Sequence, residues 1–506
     1  MVLKKCFPLK RKFFSLTFFV ILTTACYSQE TDYWQKAIQT AFSNSPDVNE
    51  IKLEYNSAII NKKQYDYQWF PQFQVSIQGT TTVADGKNYY LLNQESDSSY
   101  VHLFSPSLQL AFYQKLPGKG SIGLSTSYGL NYLAERNVFQ QWPQINLNIN
   151  QTLGRGMFGI AGNPESRLIN EQMYYSSLMY ERNLTLQIQE ILSLFQNLDI
   201  LCSQEDYYLA LQTEYESELK TAQNKEAAGM QSSMEAYYAK HQLAQVQSSL
   251  IDLQNSKQQL VNEICLLVPD FTIEDLPKKR KELFTIINNL YKTTDTDSKI
   301  IETNLYNIIY SSIQKQYLYQ YQNNESNYAP QLVISSSVSP DSTANAYYSD
   351  WYKSFRILTE NVTPLNFSIS LGIQKTFELP AAKKLRKEIY QMNKSSIEEQ
   401  IKFSNQTQAY QLEILKTQIK KDADYLSELE AAITTEQDFR LKRKNLFQQN
   451  IITQDEFFQS ETTYFKIYND YINTFWNLIN NQLSVIDLCS TDFSILKTFI
   501  GDTNEF

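Results

Sequence analysis

Few groupings in the sequence have residue types and spacing suited to chemistry. Gly154, Gly156 and Gly159 meet the G-x-G-x-x-G spacing with which a strand-to-helix turn cradles a dinucleotide pyrophosphate. That chemistry also needs a βαβ unit of about 30 residues and an acidic ribose partner about 20 residues on. Here a polar-alternating strand precedes the glycines and a heptad helix about twice that length follows, so they read as a flexible strand-to-helix step. Gly118-Lys119 looks like the end of a phosphate loop, but Tyr113 stands where the upstream glycine belongs. His102, read as lying in a loop beside strands, and His241, on a helix, are the 2 histidines. They build neither a Ser-His-Asp arrangement nor a multi-histidine metal site. Cys6, Cys26, Cys202, Cys265 and Cys489 contain no C-x-x-C pair, which excludes zinc ribbons and a dense disulfide framework. The adjoining Glu398 and Glu399 read as a solvated helix face. Two further carboxylates, Glu235 and Glu456, each stand in the first turn of a helix, where the helix dipole favours negative charge. No enzyme constellation and no cofactor site emerge.

The elements that position these residues are long and seldom interrupted. The 506 residues suit two to four domains or one large assembly. Gly and Pro number only 13 each, and 35 Tyr, 28 Phe and 5 Trp are too many for a solvated, disordered chain. Lys4, Lys5, Lys10, Arg11 and Lys12 precede an apolar run, Phe13 to Thr24, and the small residues of Ala25-Cys26-Tyr27-Ser28. Residues 1–28 therefore read as a secretory signal peptide, too short to span a membrane. Cys26 is a candidate lipidation site, although Thr23 replaces the aliphatic residue such signals carry. Loss of this segment removes five positive charges and takes the net charge from −9 to −14. An acidic exported chain is a poor nucleic-acid binder.

Beyond residue 28 the pattern runs twice. In residues 29–270, two helices over 32–68, broken at Ser45-Pro46, lead to strands within 72–153. A long helix over 164–228 and a short one over 232–268 follow. In residues 271–490, helices near 278–291 and 296–325 lead to strands within 331–377, a long helix over 380–446 and a short one over 454–488. Residues 491–506 form a C-terminal tail. Duplication of such large units is a stronger signal than any short motif. Leu184, Ile188, Ile191, Phe195, Leu198 and Cys202 step by 4 and 3. Leu412, Leu415, Ile419, Leu426, Leu429 and Ile433 keep that frame, broken by Asp422, and Phe457, Tyr464, Tyr471, Leu478 and Val485 recur every seven residues. Sustained heptads mean coiled-coil packing, and a helix of roughly 65 residues is on the order of 95 Å long. The strands alternate apolar residues with Gln, Ser, Asn and Thr, the dyad of a membrane β-barrel. Strands this few cannot close a barrel alone, so several chains must contribute. The alternative is an exported coiled-coil structural or adhesin-like protein without transport activity.

Several motifs, in this order, resemble the TolC-like outer-membrane efflux family over about residues 30–490. Trp34-Gln35-Lys36-Ala37-Ile38 and Asn44-Ser45-Pro46-Asp47 resemble its opening helix and break. Trp69-Phe70-Pro71-Gln72 and Tyr328-Ala329-Pro330-Gln331 resemble its step into the first strand of each repeat. Ile149-Asn150-Gln151-Thr152-Leu153 and Ile373-Gln374-Lys375-Thr376-Phe377 resemble its step into each long helix, with Thr152 and Thr376 replacing a proline. The resemblance implies a mainly α fold with a membrane β-barrel part. A duplicated helix-strand-strand-helix repeat would form a coiled-coil periplasmic tunnel and a barrel shared by a homotrimer, four strands per protomer and twelve in all. The hairpin at about 105–132 is extra to that plan and either extends the barrel's hairpins or lies outside them. The resemblance further implies an exit duct in the outer membrane of a Gram-negative cell, served by a periplasmic adaptor and an inner-membrane transporter. Glu456 and Glu235 match positions near the family's periplasmic aperture, and Gln459 falls where a second constricting aspartate can sit. Gly229, Met230, Asn450 and Ile451 lie in the turns that would meet the adaptor.

Overall fold

The computed structural model describes residues 32–85, 100–116, 120–133, 138–152, 164–229, 233–340, 365–490 and 493–500. The signal peptide with Cys26, the Gly154–Gly159 segment, Gly118-Lys119 and Met230 lie outside the described residues. Among the described residues no helix is long and apolar enough to cross a membrane.

Two compact units contain these residues. The first holds the described residues up to Glu54, Leu178–Ile309 and those from Gln400 onward. It is entirely helical. Helix α1 (Asp32–Asn44) buries Trp34, Ala37, Ile38, Ala41 and Phe42, an i, i+3, i+4, i+7, i+8 stripe. Ser45 ends it, and its hydroxyl accepts from Val48 N–H at 3.4 Å, with Pro46 as first residue of α2 (Pro46–Tyr67). Helix α3 (Pro164–Ala227) enters this unit at Leu178 and α4 (Ser233–Leu267) follows it. Next come a 3₁₀ turn (Ile273–Asp275), α5 (Leu276–Thr293), a second 3₁₀ segment (Ser298–Thr303) and α6 (Leu305–Ser326). The remaining helices are α7 (Pro380–Gln448), α8 (Gln454–Cys489) and α9 (Ser494–Ile500).

The heptad positions form the core. Leu184, Ile188, Ile191, Phe195 and Leu198 are buried, as are Leu412, Ile419, Leu426 and Leu429. Asp422, the polar break, accepts from Asn481 Nδ2 at 2.9 Å. The core also holds charge that the apolar pattern conceals. Arg280 of α5 donates to Asp199 of α3 at 2.8 Å, and Trp476 of α8 donates its indole N–H to the same Oδ2 at 2.8 Å. The single helix expected over 296–325 is instead split at Asn304. Its fully buried side chain accepts from Asn307 N–H at 3.1 Å and donates to Gln408 at 2.8 Å and to the Leu488 carbonyl at 3.0 Å. A side chain capping α6 in this way begins a new helix there. In the stretch read as a tail, α9 buries Ile495, Leu496 and Phe499 and packs on α1. Cys202 and Cys489 are free thiols whose pKa values burial raises to about 11.

The second unit, Tyr55–Ser177 with Tyr310–Glu399, contains the sheet. Its strands are β1 (Gln72–Asp85), β2 (Tyr100–Leu116), β3 (Gly120–Leu133), β4 (Val138–Thr152), β5 (Gln331–Pro340) and β6 (Leu365–Gln374). They pair antiparallel in chain order into one six-stranded sheet. Among the described residues the sheet thus has six strands, not the four the resemblance implied, because the hairpin at 105–132 is inserted between the first strand and its expected neighbour. His102 correspondingly lies in β2 rather than in a loop.

Candidate functional site

The two turns that follow the long helices share a backbone device. At the end of α7, Ile451 N–H reaches Leu446 O and Asn450 N–H reaches Phe447 O, each at 2.9 Å. This crossed pair satisfies the last carbonyls and needs a left-handed residue at position 450. Asn450 supplies it with φ 57°. At the end of α3, Gly229 takes φ +71° and its N–H reaches Glu226 O at 2.9 Å.

The acidic residues after these turns behave differently. Glu456 closes a capping box: its carboxylate accepts from Thr453 N–H at 2.9 Å, and its own N–H donates to the Thr453 hydroxyl at 3.2 Å. The bonds from the Thr453 backbone and hydroxyl hold this carboxylate below its ordinary pKa. The Glu456 carbonyl accepts from Arg443 of α7 at 2.8 Å. Gln459 lies one turn on, exposed on the same face of α8 as Glu456. Phe447 and Phe457 stack across the turn, ring centroids 5.1 Å apart. Glu235 occupies the corresponding third position of α4. It lines a hollow of about 490 Å³ with Met234, Glu218, Lys225, Tyr238 and Asp455. Glu456 is not among the residues lining this hollow. Asp455, which the sequence reading passed over, accepts from Ser217 of α3 at 2.7 Å. Burial, then Glu214 and Asp455, raise the Glu218 pKa. Glu398 and Glu399 stand exposed on α7, with Glu398 3.7 Å from Lys394 one turn away.

The sheet has two distinct faces. Register places Phe73, Val75 and Ile77 opposite Phe112, Leu110 and Leu108, which continue into Leu124, Thr126 and Tyr128 of β3. The same face runs through Ile145, Leu147 and Ile149 of β4 and Val338, Ile334 and Leu332 of β5 to Phe367, Leu371 and Ile373 of β6. Beyond neighbours in the sheet itself, such as Phe112 beside Phe73 at 5.2 Å between ring centroids, many of its apolar side chains stand open among the described residues: Phe73 and Ile77 are each 80% exposed. The opposite face presents Gln72, Gln74, Ser76, Gln109, Ser127, Asn146, Asn148, Ser335, Ser337, Ser368 and Ser370. Ser337 and Ser368 bond across β5 and β6 at 2.7 Å, and Gly123 lets the Tyr113 ring lie over β3, where a Cβ would come within 3.0 Å. Among the described residues, Lys115 is the one charged side chain the strands place on this polar face; it donates to Gln68 at 2.5 Å.

Long heptad helices joined to an antiparallel sheet with one apolar and one polar face make this the TolC-like outer-membrane channel fold, as the sequence motifs implied. Among solved structures, the chain is similar to the Campylobacter jejuni CmeC outer membrane channel, with 13% identity, TM-score 0.59, and 94% of this chain and 90% of that chain covered. It is also similar to the outer membrane protein VceC of Vibrio cholerae, with 12% identity, TM-score 0.52, and coverage of 92% and 96%. CusC, described through its folding and transmembrane channel formation, gives 10% identity, TM-score 0.54, and coverage of 90% and 92%. No protein-family model matches the sequence, and no curated protein matches it.

Proposed function

We propose that this chain is the outer-membrane exit duct of a tripartite efflux or type I secretion system. It would conduct small molecules or polypeptides passively from the periplasm to the exterior of a Gram-negative cell. The observation that carries this reading is the apolar face that continues across six strands and that no other described element covers. Such a face suits lipid. The sheet also leaves β1 and β6 as free edges, which lipid does not tolerate, so neighbouring copies must pair them. A homotrimer meets that need. The periplasmic partners would be an adaptor and an inner-membrane transporter.

In this reading the turns at Gly229-Met230 and Asn450-Ile451 meet the adaptor, and Glu456, Glu235 and Gln459 form the periplasmic aperture. The capping box anchors the Glu456 carboxylate near the start of α8, and threefold symmetry would make three such groups one cation-attracting ring. Cys26, if it becomes the mature N-terminus, carries the lipid. The test is single-channel recording of the purified protein in planar bilayers, together with its native mass. Discrete conducting steps from a three-copy species are expected. A monodisperse species that never conducts would overturn the duct.

A further inference from the structure

Hairpin β2–β3 is the part of the sheet that the duct reading does not require. Three features make it structural wall rather than ornament. It pairs on both sides, β2 with β1 and β3 with β4, over most of its length. It keeps the face parity of its neighbours: Leu108, Leu110 and Leu124 fall on the apolar side, Gln109 and Ser127 on the polar side. It adds two strands, so β1 and β6 still run in opposite directions and copies can close antiparallel. We propose that the hairpin widens the pore, so that three copies close an eighteen-stranded barrel with an almost uncharged, amide- and hydroxyl-lined bore. Such a bore suits large hydrophilic solutes of either charge sign. This rests on the three-copy duct proposed above.

Wall circumference scales with strand number. At a strand spacing of about 4.8 Å and a tilt of about 40°, twelve strands give a backbone diameter of about 24 Å and eighteen give about 36 Å. Barrels of 16–18 strands leave an aqueous channel rather than a packed interior. Charged rings give pores their ion selectivity. The described strands place only Lys115 on the polar face, so the barrel would contribute size selection and little charge selection.

The test uses nitroxide labels at adjacent residues, Leu110→Cys and Gln109→Cys, in the full-length protein with Cys202 and Cys265 changed to Ser, reconstituted in phosphatidylcholine vesicles. The label at 110 should collide mainly with oxygen dissolved in lipid, and that at 109 mainly with an aqueous nickel chelate. Aqueous access at both positions would put the hairpin outside the bilayer and overturn the proposal. A second measurement compares the polyethylene glycol size that enters the outer mouth in the wild-type protein and in a chain lacking residues 100–133. A radius cut-off about 1.5-fold larger for the wild type is expected, and equal cut-offs in two conducting trimers would overturn it. Native mass separates this proposal from the reading beneath it. Three copies with aqueous labels defeats only the wide barrel, whereas two copies, which would close twelve strands, defeats both.

Discussion

Replacing Asp199 with Leu should destabilise the helical unit more than any change at an exposed carboxylate. Asp199 and Arg280 are 6% and 4% exposed and meet at 2.8 Å. The same carboxylate oxygen accepts the Trp476 indole N–H at 2.8 Å. Removing the carboxylate leaves the guanidinium buried without its counter-charge, which costs about 3–5 kcal/mol. The orphaned indole N–H adds about 1–3 kcal/mol. These losses overlap, so we expect about 4–6 kcal/mol. For a chain of this size that corresponds to a fall of roughly 1 M in the urea midpoint, read from the far-ultraviolet helical signal in detergent. The double substitution Asp199→Leu with Arg280→Met takes both charges out of the core and should recover most of the loss. A midpoint unchanged in Asp199→Leu, or a double variant no better than the single, would refute the reasoning.

Glu456→Gln should lower cation selectivity and weaken block by divalent cations from the periplasmic side, with trimer yield nearly unchanged; bilayer recordings in asymmetric salt check this, and unaltered selectivity and block would leave only the helix-capping role. The same carboxylate is held below its ordinary pKa by Thr453, so its contribution to α8 is present above the unfolded carboxylate value and is lost as pH falls through the lowered one. Glu218 has the opposite sign. Its folded pKa is raised by burial, so a penalty develops as pH rises from the ordinary carboxylate value through the raised one. Glu218→Gln should therefore slow amide exchange around residues 214–222 at pH 7 and change little at pH 4. Asn450→Gly should be neutral or slightly stabilising, whereas Asn450→Val, β-branched at φ 57°, should cost about 1–3 kcal/mol and speed amide exchange at the end of α7.

Features that repeat were legible in the sequence. Leu184 to Leu198, and Leu412, Ile419, Leu426 and Leu429, are buried where their 4–3 spacing put them, because a helix fixes which residues share a face. Period-2 alternation located all six strands for the same reason. The family plan implied four strands per chain, whereas the alternating hairpin at 105–132 already marked two further ones, and only the pairing of β2 with β1 and of β3 with β4 puts them in the sheet. Contacts between distant residues left no trace. Asp199 and Arg280 lie 81 positions apart, and neither departs from an ordinary helix surface pattern until the partner is known. Asn304 was not recognised as a helix break: its cap bond from Asn307 N–H is local, but the partners that bury its amide, Gln408 and the Leu488 carbonyl, come from other helices. At the turns, Glu456 and Glu235 were visible as first-turn acids. Asp455 was overlooked beside them because only the fold turns it toward Ser217.

The thiols of Cys202 and Cys489 bear on how the chain stays reduced while it folds. Only the thiolate attacks a disulfide. Burial raises the pKa values of Cys202 and Cys489 to about 11, so little of either is thiolate at neutral pH. Folding therefore lowers the reactivity of Cys202 and Cys489 without pairing them, so these two can persist as small apolar side chains. The vulnerable interval is the passage before the helices pack, when the same thiols still titrate near 8.5. Oxidation at Cys202 and Cys489 should accordingly increase when packing of α3 and α8 is slowed and stay low when the folded protein meets an oxidant.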